Sequence, residues 1–142
     1  MSDNSPAIAT DPFQWSVRVY WEDTDAGGVV YHASYLRFME RARTEWLRAA
    51  GFEQDALRAR HGVQFVVVEA HLAFRRPARF NDALKVSVEV REQGRASLLF
   101  HQDVRAAVGD VLCSGDVRVA CIDAKDFKPR PLPGELLTEL AR

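Results

Sequence analysis

The chain has 142 residues, enough for one ordinary domain whose core needs no disulfide or metal to hold it together. Hydrophobic residues make up 47% and charged residues 27% of the sequence, a composition that is typical of a folded protein and excludes a disordered one. Lys and Arg number 19 against 20 for Asp and Glu, a net charge of −1. Because coating a nucleic acid needs a large basic excess, this balance argues against that function.

The start of the chain and its cysteines bear on location. The first ten residues are polar and lack the basic and apolar regions of a secretory signal, and no apolar run is long enough to span a bilayer. Cys113 and Cys121 lie eight positions apart in one strand-like run, which places them roughly 27 Å apart, whereas a disulfide tolerates about 7 Å. We therefore predict buried free thiols, no transmembrane segment and a cytoplasmic protein.

In chain order, residues 1–12 are predicted to form a flexible arm and residues 13–142 a single domain. Alternation over residues 14–21 predicts a half-buried strand that carries Trp15, Val17, Val19 and Trp21 on one face. An acidic loop ending in two glycines follows. The helix predicted next runs from Ser34, as its N-cap, to Ala50. Its apolar stripe comprises Tyr35, Leu36, Met39, Ala42, Trp46, Leu47 and Ala50.

The rest of the chain is dominated by strands. A short helix is predicted over residues 53–60, and the hydrophobic period then changes to two, with turns at Gly94 and Gly109. Since no helices separate these strands, the sheet should be largely antiparallel and the fold class α+β, with one long central helix wrapped by a curved sheet of about five strands. A final helical turn is predicted within residues 134–142. The exposed edges of such a sheet favour at least a homodimer.

The loop before the long helix is the strongest candidate for chemistry. It consists of Asp25 followed by Ala26, Gly27 and Gly28, and the helix begins near residues 32–34. The first amides of a helix have no intrahelical acceptor and can hold an oxyanion that develops on a carbonyl. A carboxylate a few residues upstream can attack that carbonyl or act as a general base on water. On local pattern alone, the favoured interpretation of Asp25 is a residue that only caps a turn.

Residues 18–35 read RVYWEDTDAGGVVYHASY, and ERARTE occupies residues 40–45. These segments, together with residues 74–80, 94–102 and 128–130, resemble the hotdog-fold acyl-CoA thioesterases of the 4-hydroxybenzoyl-CoA thioesterase type, and among them the Tol–Pal-associated members. The resemblance covers nearly the whole chain beyond the arm. It implies the hotdog fold, homodimers that can pair into homotetramers, and active sites formed between subunits.

Carried over residue by residue, the resemblance places the catalytic carboxylate on Asp25 and the oxyanion-hole amide on or beside His32. The ring of His32 is a second candidate for proton transfer. Coenzyme A carries several phosphates, so arginine and lysine are expected near the pocket mouth. The candidate substrate-binding residues are Gly28, Val29, Tyr31, Tyr35, Arg75, Arg76, Arg79, Arg95, Ser97, Lys128 and Arg130.

No further cofactor is expected, because coenzyme A is part of the substrate. His61, His71 and His101 do not stand at metal-ligand spacing with cysteine or acid, and no metal site is predicted. The sequence thus predicts an acyl-CoA thioesterase, with acyl carrier protein as another substrate carrier. Two alternatives remain at this stage: a hotdog dehydratase acting on acyl thioesters, and a non-catalytic module of the cell envelope that binds an acyl thioester or a partner.

Overall fold

The computed structural model describes residues 12–142, so the predicted arm lies outside the described residues except for Pro12. Within this range the strands are β1 (Phe13–Arg18), β2 (Val63–Phe74), β3 (Ala83–Gln93), β4 (Ser97–Ala106) and β5 (Val111–Asp123). The helices are α1 (Ser34–Ala49), α2 (Gln54–His61) and α3 (Gly134–Leu140). No helix of residues 12–142 is long and apolar enough to cross a membrane.

The five strands form one sheet in the order β1-β3-β4-β5-β2, and every neighbouring pair is antiparallel. This confirms the α+β class predicted from the unbroken succession of strands. The order leaves β1 and β2 at the two edges. The outer edge of β2 has no strand partner within the described chain, and Val67 and Val68 in its middle are about half exposed, at 50% and 56%.

Helix α1 buries one face against the sheet, where it contacts β1, β3 and β4. The side chains at this interface include Tyr35, Phe38, Met39 and Ala42, all nearly inaccessible to solvent. Gly115 lies under the helix, because a Cβ at that position would be 2.9 Å from Cε of Met39. The small residue on β5 therefore lets the first half of α1 approach the sheet closely.

Two details of the first 35 residues correct the prediction. β1 ends at Arg18, and Trp21 begins a short 3₁₀ turn instead of continuing the strand, with 69% of its surface exposed and its ring stacked on Phe80. The cause is the buried carboxylate of Asp23, whose Oδ2 accepts the backbone N–H of Tyr20 at 2.9 Å and folds the chain back. Ser34 is not an N-cap: it is the first helical residue, and its buried Oγ donates to the carbonyl oxygen of Asp23 at 3.1 Å.

Both cysteines are free and buried, as predicted. Burial raises the pKa of the Cys113 thiol to about 12, and the charge of Asp103 adds to that effect. Burial also raises the pKa of Cys121. Both thiols therefore stay protonated near neutral pH and act as small core side chains.

Candidate active site

The Asp25 loop is a tight reversal of the chain. The backbone N–H of Asp25 donates to the carbonyl of Val29 at 2.9 Å, and that of Gly28 returns to the carbonyl of Asp25 at 3.0 Å. Gly28 has a φ of 81°, a left-handed conformation that glycine adopts without steric cost. The Asp25 carboxylate takes part in this turn, since its Oδ1 accepts the N–H of Gly27 at 2.8 Å. Its Oδ2 has no hydrogen-bond partner among the described residues.

Backbone amides are available where α1 begins. The N–H groups of Val30, Tyr31 and Ser34 donate to the carbonyls of Ala78, Asp23 and Tyr31, respectively. Those of His32 and Ala33 donate to no acceptor in residues 12–142. Because α1 has 16 residues, its positive end adds to the potential around these two amides.

Asp25 and His32 line the same open cleft, of about 340 Å³. The complete lining is Asp25, Val29, Val30, His32, Tyr35, Phe74, Arg75, Arg76 and Pro77. The loop and the start of α1 form one wall, and the end of β2 with the segment after it forms the other. A carboxylate, one of the two residues with a free amide, and apolar side chains thus line one cavity, an arrangement suited to a small organic ligand.

The aromatic residues of the cleft differ in exposure. Tyr35 is only 3% exposed, and its hydroxyl accepts the backbone N–H of Ala78 at 3.3 Å. It packs 5.7 Å from the ring of Phe74, so that it belongs both to the apolar stripe of α1 and to the cleft floor. Burial raises the pKa of Tyr35. Tyr31, a predicted substrate-binding residue, does not line the cleft: it lies at the surface with its ring 4.5 Å from that of His32.

The basic candidates fall into two groups. Arg75 and Arg76 line the cleft, and Arg76 is paired with Asp110 at 2.7 Å. Arg79 lies beside the cleft wall, paired with Val29 through a single β-bridge. Gly28 is likewise exposed next to the cleft and does not line it.

The other group lies at the opposite end of the sheet and comprises Arg95, Ser97, Lys128 and Arg130. Arg130 donates to Asp123 at 2.8 Å and to the carbonyl oxygen of His61, and Asp123 is paired with the first residue of β2. Phe74 is the last residue of β2, which places the two groups roughly 35 Å apart along the strand. Within a single chain, the structure therefore does not bring these four residues to the Asp25 cleft.

Val30, Phe74 and Pro77 are the cleft residues that the sequence did not identify as candidates. Phe74 fitted the inward face of a strand, yet it is 54% exposed because β2 ends there at the sheet margin. Pro77 offered a sequence signal, because a proline three residues after Phe74 cannot continue the ladder of β2. Within residues 12–142 no group of three or more His, Cys, Asp or Glu side chains is arranged to hold a metal ion.

Comparison with known proteins places this geometry in a family. The model of the thioesterase-like superfamily matches residues 19–140. The chain is 47% identical over 130 residues to the acyl-CoA thioester hydrolase YbgC of Escherichia coli O6:H1, across 92% of this chain and 96% of that protein. It is 44% identical over 124 residues to the acyl-CoA thioesterase YbgC of Haemophilus influenzae, across 87% of this chain and 90% of that protein.

A solved structure agrees. The crystal structure of a "probable thioesterase" from Bartonella henselae superposes on this chain with a TM-score of 0.82 at 35% sequence identity. The superposition covers 87% of this chain and 100% of that protein. The antiparallel sheet packed on α1 is the hotdog fold of these proteins. The chain therefore belongs to the thioesterase-like superfamily, as a hotdog-fold member of the YbgC acyl-CoA thioesterase group.

Proposed function

We propose that this protein hydrolyses acyl-CoA thioesters to a free acid and coenzyme A, with Asp25 as the catalytic carboxylate. One observation carries the proposal: the Asp25 carboxylate and the residue that bears a free amide at the start of α1 line the same cleft. The curated relatives named above support the reaction class.

The free amides of His32 and Ala33 are suited to bind the thioester oxygen and to stabilise the negative charge that develops on it. In one route, Asp25 takes a proton from water, the water oxygen bonds to the carbonyl carbon, and the C–S bond then breaks to release the thiolate. In the other, a carboxylate oxygen of Asp25 attacks the carbon, expels the thiolate and forms an anhydride that water cleaves. A single turnover in oxygen-18 water distinguishes them, because only the second route can leave the label in Asp25.

The direct test of the function is thiol release. Wild-type protein incubated with a panel of saturated acyl-CoAs of increasing chain length should release free coenzyme A, followed with a thiol reagent. The same panel loaded on acyl carrier protein shows which carrier is preferred. Release of no thiol from any of these substrates would refute the proposal, and it is the outcome expected of a dehydratase or of a non-catalytic binding module.

For His32 we propose that the backbone amide, and not the imidazole ring, serves the reaction. The ring is exposed between Tyr31 and the cleft residue Phe74, 4.5 and 6.3 Å from their rings, while the free N–H belongs to the backbone just before α1. His32→Ala keeps that N–H, so we expect kcat to fall by less than about tenfold, below the range for loss of a general base. A loss of 100-fold or more, measured by thiol release with folding checked by circular dichroism, would assign proton transfer to the ring.

We further propose that the enzyme is a homodimer built on the free edge of β2. Antiparallel pairing of the whole strand with its own copy aligns Val63 of one subunit with Phe74 of the other. Asp123 is paired with Val63 and bonded to Arg130, so this register supplies the cleft with basic residues of the second subunit. Lys128 and Arg130 from that subunit are then placed to hold coenzyme A phosphates. The free buried thiols agree with the reducing cytoplasm as its location.

A further inference from the structure

A second cavity lies under the other half of α1. Its walls are mainly apolar and include Trp46, Phe65, Leu98, Phe100 and Val119. It encloses about 50 Å³, and since one water needs roughly 10–15 Å³ of such space, it can hold about four groups of that size. A cavity of this size suits the end of a short chain and not a bulky ring system.

Arg43 is the one charged residue among those that line this cavity. Nη1 of Arg43 donates to Oε1 of Gln102 at 2.9 Å, and Gln102 is fully buried and donates in turn to the carbonyl of Met39. No carboxylate oxygen among residues 12–142 lies within 4.0 Å of Arg43, unlike most other arginines of the chain. Burial lowers the pKa of Arg43, and the charge of Glu40 opposes that shift. Arg43 is partly buried, and most of its donors have no partner among residues 12–142, so its guanidinium can still bind an anionic ligand.

The cavity and the Asp25 cleft of its own chain have no lining residue in common. The close packing of Met39 on Gly115 lies between them along α1. Along the edge of the sheet, however, the β2 pairing proposed above places Phe74, at the cleft, opposite Val63 of the second subunit. Phe65 of that subunit lines its cavity two residues further along the strand. The cleft of one subunit and the cavity of the other are thus neighbours.

We propose that this cavity, contributed by the second subunit, receives the far end of the acyl group, and that Arg43 selects acyl groups that end in a carboxylate. This inference rests on the proposed thioesterase function. The planar fork of arginine matches a carboxylate with two parallel hydrogen bonds, while Trp46 and Phe100 contact the methylenes. The substrate class is therefore the coenzyme A monothioesters of short dicarboxylic acids.

The first experiment compares substrates of equal length. Straight-chain acyl-CoAs of four, six and eight carbons are assayed beside their ω-carboxy counterparts, in the wild type, Arg43→Met and Arg43→Lys. In the best pair, Arg43→Met should lower kcat/KM for the ω-carboxy substrate by about 10- to 100-fold relative to the plain one, the usual effect of losing a charged hydrogen bond. Arg43→Lys should keep part of the preference, and Arg41→Met, at an exposed neighbouring position, should keep all of it. An unchanged ratio in Arg43→Met would overturn the proposal.

The second experiment does not depend on hydrolysis. In a Trp15→Phe, Trp21→Phe background, Trp46 is the remaining tryptophan, and its fluorescence is titrated with hexanoate and with hexan-1-ol. Hexanoate should bind saturably to the protein with Arg43, and its affinity for Arg43→Met should be at least about tenfold weaker. The affinity of hexan-1-ol should be the same for both proteins. Equal hexanoate affinity in the two proteins would refute a carboxylate site at Arg43. If the wild type cleaves no thioester, the proposed function is wrong, and this titration still decides the role of Arg43.

Discussion

Replacing Asp25 by asparagine is expected to lower kcat by about 10²- to 10⁴-fold, the range for removing a positioned general base. The substitution is conservative in shape, because an amide oxygen can still accept the N–H of Gly27 that the Oδ1 of Asp25 accepts at 2.8 Å. The turn and the cleft should therefore survive, and only the charge and the basicity are lost. The new side-chain amide would still be a neighbour of the substrate, so acyl-CoA affinity should change little.

The measurement is single-turnover thiol release, together with calorimetric titration of a non-hydrolysable thioether analogue of acyl-CoA. Glu22→Gln is the matched control, because it removes an exposed carboxylate of the same acidic segment that does not line the cleft. We expect this control to keep kcat within a factor of about three, as is usual for a surface change. Full activity in Asp25→Asn would leave Asp25 as a turn residue only, while an equal loss in both variants would indicate a general effect of loop charge.

Much of the fold could be predicted because the signals are local. Period-two alternation and two glycine turns gave β3, β4 and β5, and period-3.6 spacing gave α1 almost to the residue. The predictions were wrong where a residue distant in sequence determines the local conformation or burial. Leu36 fits the helical stripe yet is 41% exposed, whereas Phe38 is fully buried, because the sheet covers a slightly different face of α1. Trp21 lies outside the strand because the buried carboxylate of Asp23 accepts the backbone N–H of Tyr20 and turns the chain there.

The candidate site divides in the same way. Its loop half, from Asp25 to His32, lies in one short segment and can be recognised from residue types and spacing. Its other wall comes from the end of β2, more than forty residues later, and depends on strand register that no local pattern specifies. Arg95, Ser97, Lys128 and Arg130 form the clearest case, since they lie far from the cleft of their own chain and only the proposed dimer would bring them near a cleft. Arg43 escaped notice because a charged residue in a helix ordinarily indicates a solvated face.

Changing Val68 to glutamate is expected to separate the subunits and to abolish most activity. Full antiparallel pairing of β2 with its copy places Val68 directly opposite Glu69 of the second subunit. Because the pairing is symmetric, this contact occurs twice in the dimer. A carboxylate at position 68 would then face a carboxylate across the strands, and like charges in directly opposite positions are destabilising. Val68 is 56% exposed in the isolated chain, so the change should not disturb the fold of the monomer.

Analytical ultracentrifugation should show the wild type at twice the mass of the chain and Val68→Glu at the mass of one chain. Val68→Lys provides the sharper control, because the new ammonium group would face Glu69 and the dimer should persist. Val108→Glu, at a 92% exposed valine in the β4–β5 turn, should leave mass and activity unchanged.

We expect kcat/KM of the monomeric variant to fall by about 100-fold, since the acyl group would lose the surface that positions it. A monomer with full activity would show that one chain holds the complete site, and a stable dimer of Val68→Glu would place the subunit contact away from the edge of β2.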